Sequence, residues 1–373
     1  MITLSVSVLC ALVAAGEIAT LVRLRLLMAR FQKRQMISAP SMLRDMPSVS
    51  VCIPARNERH AMTRCLEAVL SSTYPKLEII VLDDESVDNT SNLIRAFAHD
   101  GVRFIAGSTP PSGWLGKNFA LQSLAAQASG TYVLFLDVDT IISPYSISQM
   151  VAYAEAEQSS MISVLPQRSD LWRASVLLAP LRYYWHIVFH RTSRPVVTSN
   201  AWMVRRKKLL ADFEGFKTIR TDVEPEVTIA AHYYAGGDYK FLTSTHLLGV
   251  TYEKKMSSQI ETAIRLRYPS LSRSIVRSIG ASLLKSTAAL SPLLALCYLP
   301  SGVLLAVVLY ALGSMSYLMY LQFVWKKGAL LGMWLWPLVL LGDAWLTLVS
   351  MIRYETHTVT WKGRSITSLD QQG

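Results

Sequence analysis

Cysteine is scarce in this chain, with four in 373 residues, at Cys10, Cys52, Cys65 and Cys297. They form no Cys-x-x-Cys pair and no Cys/His cluster of zinc spacing, which excludes a zinc-ribbon or dithiol motif. All four read as packing residues in a reducing compartment. No Gly-x-Gly-x-x-Gly follows the first predicted strand, and no Gly-x-x-x-x-Gly-Lys-Ser/Thr occurs. Dinucleotide and P-loop readings therefore lack their phosphate-binding turns. Internal repeats and low-complexity segments are missing too. Charged residues make up only 17% of the chain, against 51% apolar ones. The mean hydropathy of +0.29 is high for a soluble protein. Acids are outnumbered 26 to 37 by Lys and Arg, leaving a net charge of +11. Such an excess suits nucleic acid or an anionic membrane face. The basic residues flank apolar segments and form no aromatic-interleaved patch, so nucleic acid is discounted.

The length allows more than one compact unit. Residues 4–28 are almost wholly apolar, with Glu17 as the one acid. That is long enough to span a bilayer, which needs roughly 20 residues. No Lys or Arg precedes the run, whereas Arg23, Arg25, Arg30, Lys33 and Arg34 come at or after its end. This charge order argues against a cleaved signal peptide and places the following domain in the cytoplasm. Residues 35–48 read as a linker. From Val49 onward, strand and helix patterns alternate: strands at 49–54, 77–82, 102–105 and 132–136, helices at 61–71, 90–99 and 118–128. The expected fold class is α/β, a parallel-type sheet with flanking helices. Residues 171–190 are apolar but interrupted by Arg173, Pro180, Arg182 and His186. They read as an interfacial helix or as a buried core helix. Beyond Gly280 come three apolar stretches, near 281–299, 301–325 and 329–352, and then a basic tail. The expected organisation is an anchor over 1–34, a catalytic domain over 35–255, and an interfacial and transmembrane region over 256–373.

The motif of greatest chemical interest is Asp137-Val138-Asp139, directly after the apolar strand Tyr132–Leu136. Two carboxylates at the end of a buried strand are costly unless a positive partner meets them. A divalent cation, Mg2+ or Mn2+, shared with substrate phosphates is one such partner. Solvated turn acids are the plain alternative. Glu58 after the first strand and Asp83, Asp84 and Asp88 after the second place three acidic stations at strand ends, where open α/β sheets bind ligands. Carboxylates there suit a nucleotide sugar, since they accept a uracil imide N–H and ribose hydroxyls.

Three stretches together, Val51-Cys52-Ile53-Pro54-Ala55-Arg56-Asn57-Glu58, Ile80-Val81-Leu82-Asp83-Asp84-Glu85-Ser86-Val87-Asp88 and Phe135-Leu136-Asp137-Val138-Asp139, resemble the family 2 inverting glycosyltransferases of the GT-A fold. The resemblance covers about residues 48–235. It is nearest to the membrane-bound branch of hopanoid and carotenoid pathways, and more distant from ceramide glucosyltransferase. Two features carry the finer likeness, the Gly113-Trp114-Leu115-Gly116-Lys117 loop and Trp361-Lys362-Gly363-Arg364. The resemblance implies a donor site lined by Pro54, Asn57, Glu58, Asp83, Asp84, Asp88, Trp114, Lys117, Asp137 and Arg364. It implies a metal held by Asp137 and Asp139. Lys117 suits the departing diphosphate, since an ammonium on a Gly-flanked loop reaches its oxygens.

The family's Glu-Asp catalytic pair is altered here. Register with the following apolar residues places Glu226 on the base position and Pro225 on its acidic neighbour; Asp222 and Glu224 are the alternatives. The Gln-x-x-Arg-Trp of processive members has no counterpart. The expectation is an integral membrane enzyme, with its catalytic domain on the cytoplasmic side of a bacterial plasma membrane. It would transfer one hexose from a UDP-sugar to a lipid hydroxyl. Transfer to polyprenyl phosphate and an inactive subunit of a glycan assembly are the rivals. An even number of C-terminal crossings, obtained if part of 271–299 lies in the interface around Lys285, would return the tail and Arg364 to the cytoplasm.

Overall fold

The computed structural model describes residues 2–35, 46–170, 181–191, 193–298 and 302–365. Most of the expected 35–48 linker and the first half of the 171–190 segment lie outside the described residues. The chain divides into two compact units, each assembled from three stretches. One takes its residues from 1–30, 169–189 and 254–361, the other from 31–168, 190–253 and 362–373.

The second unit is a sheet domain. Its strands are β1 (Val49–Ala55), β2 (Leu77–Asp83), β3 (Val102–Ala106), β4 (Tyr132–Leu136), β5 (Thr140–Ile141), β6 (Met161–Leu165), β7 (Gln167–Arg168), β8 (Ala201–Arg205), β9 (Tyr239–Thr243) and β10 (Thr251–Tyr252). Seven of them form one sheet in the order β3-β2-β1-β4-β8-β6-β9, and β5-β10-β7 form a small second sheet. The four strands β3, β2, β1 and β4 are parallel, as expected, but β8 runs antiparallel to both β4 and β6, so the sheet is mixed. Every residue of β4 is buried, which explains its unbroken apolar sequence. Phe135 stacks on Trp202 of β8 at 4.4 Å, and Phe216 meets Phe135 edge-on at 5.5 Å. Cys52 and Cys65 are buried packing residues, and burial raises both thiol pKa values well above normal.

The first unit is helical. It begins with α1 (Ile2–Gln35). The sheet domain then supplies α2 (Met62–Leu70), α3 (Thr90–Ala96), α4 (Gly116–Gln127) and α5 (Ser146–Ala156). The helical unit resumes with α6 (Leu181–Val188), whose Leu181, Tyr183, Tyr184, Ile187 and Val188 are buried. After α7 (Arg206–Phe213) and α8 (Pro225–Ala235) of the sheet domain come α9 (Met256–Ser270), α10 (Ile275–Tyr298), α11 (Gly302–Val324), α12 (Ala329–Gly332) and α13 (Trp336–Glu355). Among the described residues, four stretches are long and apolar enough to cross a membrane: Thr3–Arg30, Ile275–Cys297, Gly302–Val324 and Lys326–Glu355. Cys297 is exposed on α10, unlike the other three cysteines.

The last stretch is not a straight rod. Gly332 packs against Leu321 and Trp325, Trp334 stacks on Tyr310 at 6.1 Å, and the Trp336 indole fills the space beside Gly313. The chain thus travels back along α11. Then α13 runs antiparallel to α10: Lys285 meets Asp343 at 2.6 Å, Ser282 donates to the Ala344 carbonyl, and Arg273 lies over the Tyr354 ring. Both ends of Lys326–Glu355 therefore lie at the end of the helical unit where α10 starts. Ile275–Tyr298 is one helix, and Lys285 within it is paired with Asp343.

Candidate active site

Parallel strands bring their carboxyl ends to one edge. Ala55 pairs with Asp83 in register, and β4 lies on the other side of β1. Glu58, Asp83-Asp84 and Asp137-Asp139 therefore share that edge, as the spacing of acids at strand ends predicts.

Each station has its own surroundings. Asp83 is 5% exposed and accepts from the Ser86 N–H at 3.3 Å and from the Ser91 hydroxyl. Asp88 accepts from the Thr90 N–H at 3.0 Å and the Arg59 N–H at 3.3 Å. Burial raises its pKa, but these bonds and the Arg59 charge outweigh burial and hold it below the usual value. Asn57 has a φ of 52°, a left-handed conformation that Asn tolerates. Its side-chain oxygen accepts from the Val87 N–H at 2.9 Å, which ties the two acidic loops together. Pro54 sits opposite Leu82 near the end of β1.

Two stations are met by the chain's own tail. Arg364 Nη1 lies 2.8 Å from both oxygens of Asp84, and Nη2 pairs with Glu85. Lys362 Nζ lies 2.5 Å from Glu58. Burial raises the Asp84 pKa in spite of Arg364 and Arg56. Arg56 bonds to the Asp84 carbonyl and, at 3.1 Å, to the Lys362 carbonyl, so it clamps the tail to the second strand's loop. Gly116 is part of this contact. A Cβ there would stand 2.9 Å from Arg364 Nη1, so glycine permits the approach.

The Gly-Trp-Leu-Gly-Lys loop leads into α4. Trp114 meets Phe119 edge-on at 5.6 Å, which anchors the loop on the helix it precedes. Lys117 lies 3.8 Å from Asp137 Oδ1, and Ser199 donates to Asp137 Oδ2 at 3.1 Å. Asn200 donates to Asp139 at 3.4 Å. Among the described residues no three His, Cys, Asp or Glu side chains form a metal cage. The donor set is a pair of carboxylates. This fits Mg2+ or Mn2+, which take one or two carboxylates and complete their shell with phosphate and water.

The segment bearing Glu226 is tied to α4 by residues that the sequence reading did not single out. Asn118, 1% exposed, donates to the carbonyls of Ile219, Arg220 and Asp222 at 2.8–3.1 Å. Gln122 accepts from the Phe216 N–H at 2.6 Å, where Gly215 has a φ of 78° and no room for a Cβ. Their partners lie some hundred residues away, and no local pattern announces them. Glu226 stands in the first turn of α8, after Pro225. It is 5% exposed, and its Oε2 is buried with no hydrogen-bond partner. Burial is the main reason its pKa is raised; Glu224 and Asp137 add to the rise, and Lys117 opposes it. Of the two alternatives, Glu224 pairs with Arg194 at 3.2 Å and Asp222 accepts from Thr228 at 2.5 Å.

Known proteins bear on this arrangement. Residues 50–213 match the family described as Glycosyl transferase family 2. A probable glycosyltransferase of Bacillus subtilis, YdaM, is 36% identical over 101 residues, 26% of this chain and 24% of that protein. The 4,4'-diaponeurosporenoate glycosyltransferase of Staphylococcus haemolyticus is 28% identical over 121 residues, 32% of each chain. The UDP-Glc:alpha-D-GlcNAc-diphosphoundecaprenol beta-1,3-glucosyltransferase WfgD of Escherichia coli is 31% identical over 93 residues, 25% of this chain and 35% of that one. The matches thus span about a quarter to a third of these relatives' length. Among solved structures, the mannosyltransferase PcManGT from Pyrobaculum calidifontis, in complex with GDP-Man and Mn2+, aligns with a TM-score of 0.53. It is 18% identical and covers 92% of this chain and 98% of its own, a likeness of fold. Residues 50–213 of this chain are a family 2 glycosyltransferase domain, built on the GT-A fold.

Proposed function

We propose that this protein is a membrane-bound, non-processive glycosyltransferase that moves one hexose from a UDP-sugar to a hydroxyl of a membrane lipid, with inversion. The observation that carries the reading is the carboxylate of Glu226. It is buried, it has one unpartnered oxygen, and the charges of Lys117 and Asp137 act on it. A general base needs an unengaged lone pair and a pKa raised towards neutrality. Neither Asp222 nor Glu224 is as free to act. Two relatives are named for 4,4'-diaponeurosporenoate and for UDP-Glc with alpha-D-GlcNAc-diphosphoundecaprenol, which supports a UDP-sugar donor and a lipid or lipid-linked acceptor.

In this reading Asp84 and Glu58 receive the base and ribose of the donor, alongside Arg364 and Lys362. Asp137 and Asp139 would hold the divalent ion, which when bound neutralises diphosphate charge. Lys117 supplies a second positive charge for the departing diphosphate. The acceptor oxygen forms its bond to the anomeric carbon as the bond to the UDP oxygen breaks. The acceptor proton passes to Glu226 Oε2. Trp114 holds the loop that carries Lys117. The catalytic domain and the tail are assigned to the cytoplasm, where nucleotide sugars are made.

The test is an assay of purified protein in lipid vesicles with a panel of UDP-hexoses and hydroxyl lipids. Single-sugar transfer with an inverted anomeric configuration is the expected result. Transfer to polyprenyl phosphate that persists in Glu226→Gln would reassign the acceptor, since a phosphate oxyanion needs no base. A protein with neither transfer nor donor hydrolysis would be an inactive subunit.

A further inference from the structure

A cavity of about 470 Å³ lies inside the helical unit, lined by α1, α6, α10, α11 and α13. Gly16, Glu17, Trp185, Lys285, Gly313 and Trp336 are on its wall. Three observations bear on its occupant. Gly16 has no atom within 4 Å of the position a Cβ would take, so α1 presents open space there. A mid-helix glycine costs about 1 kcal/mol relative to alanine, and here no close packing requires it. Second, the Trp336 indole N–H is buried without a hydrogen-bond partner, although Trp336 is only 3% exposed. A buried orphan donor costs about 1–3 kcal/mol, which an acceptor on a bound molecule would offset.

The third observation is charge. Lys285 lies 2.6 Å from Asp343, and Arg267 pairs with the same carboxylate. The Trp185 N–H also donates to it, at 3.0 Å. One carboxylate thus faces two cations. Among the described residues, the other two charged residues lining the cavity are Glu17, which accepts from Ser316 at 2.9 Å, and Arg23, which are of opposite sign. One positive charge is left over on the wall of an apolar cavity, where an uncompensated charge is expensive.

We infer that this cavity is a binding site for a membrane lipid, its apolar chain inside and its anionic phosphate headgroup against Lys285. The apolar walls select a chain and the surplus charge selects a net negative headgroup. The ester or phosphate oxygens offer acceptors to the Trp336 N–H. This assignment is independent of the transfer reaction.

Native mass spectrometry of the delipidated full-length protein tests it, with dioleoylphosphatidylglycerol and dioleoylphosphatidylcholine as probes. Wild type should retain one phosphatidylglycerol at least tenfold more tightly than phosphatidylcholine. Lys285→Met leaves Arg267 and Asp343 as a balanced pair, and it should abolish that preference while still binding a chain. Gly16→Phe should fill the cavity and lose both lipids. Equal affinity of wild type for the two lipids overturns the headgroup assignment. Undiminished binding by Gly16→Phe overturns the site.

Discussion

Glu226 combines two properties that pull against each other, a free carboxylate oxygen and near-complete burial. Glu226→Gln keeps the shape and removes the base. Turnover should fall at least about 100-fold, the low end for general base catalysis. Donor affinity, read by UDP-sugar titration, should be unchanged because the base acts in the transition state. Activity should rise with pH through the raised pKa of Glu226 and vanish below it. Stability runs the other way. Because the folded-state pKa is raised, the native protein holds this proton more firmly than the unfolded chain. The associated stability is present below the unfolded value and is lost as pH rises through the folded one. Glu226→Gln should therefore melt at a higher temperature than wild type at pH 8, with the gap closing near pH 4. Asp139→Asn should abolish transfer without unfolding the protein, and full wild-type turnover in excess chelator would refute the metal assignment. The acids were legible in the sequence because carboxylates at the ends of buried strands are anomalous. Arg56, Asn118 and Gln122 were not, because a polar residue on a helix or loop looks the same whether it faces water or a distant carbonyl.

The strands declare themselves by apolar runs and the helices by periodicity, and the four strands and three helices expected between residues 49 and 136 fall near their places, whereas β5 to β10 were not expected. The fold-back of α12 and α13 was not expected either, since 329–352 is apolar throughout and hydropathy carries no direction. The reversal depends on glycines that admit aromatic rings, where a Cβ on Gly313 would stand 2.5 Å from the Trp336 indole. Gly313→Leu should displace that ring and destabilise the helical unit by about 1–3 kcal/mol, the usual cost of overpacking, measured as a lower thermal midpoint. The fold-back also changes the count of crossings. If α10 and α11 cross and 326–355 enters and leaves on one side, Lys326, Lys327 and the tail are all cytoplasmic, in keeping with the positive-inside tendency. In a Cys297→Ser background, Val303→Cys should react with an impermeant thiol reagent in intact cells, and Lys327→Cys and Ser365→Cys should not. Labelling of Ser365→Cys from outside would restore three full spans and remove Arg364 from the active site.

At the scale of the molecule, neither unit is a continuous piece of sequence. The sheet domain receives its tail only after the chain has passed through the last helices. Arg364→Ala should weaken UDP-sugar binding about tenfold or more, as expected for a charge-assisted hydrogen bond worth 1.5–3 kcal/mol. Truncation after Glu355 should weaken it further because Lys362 is lost too; isothermal titration in detergent would compare the two. The same contact has a consequence for the order of events during synthesis. Asp84 and Arg364 are 280 residues apart. At about 5–20 residues per second, the ribosome makes Arg364 on the order of tens of seconds after Asp84. Every apolar helix of the C-terminal third long enough to cross a membrane is translated in that interval. A nascent chain therefore carries Asp84 and Glu85 without their guanidinium until the last apolar helix has been made, and this ion pair closes only in a polypeptide whose C-terminal helices are already complete.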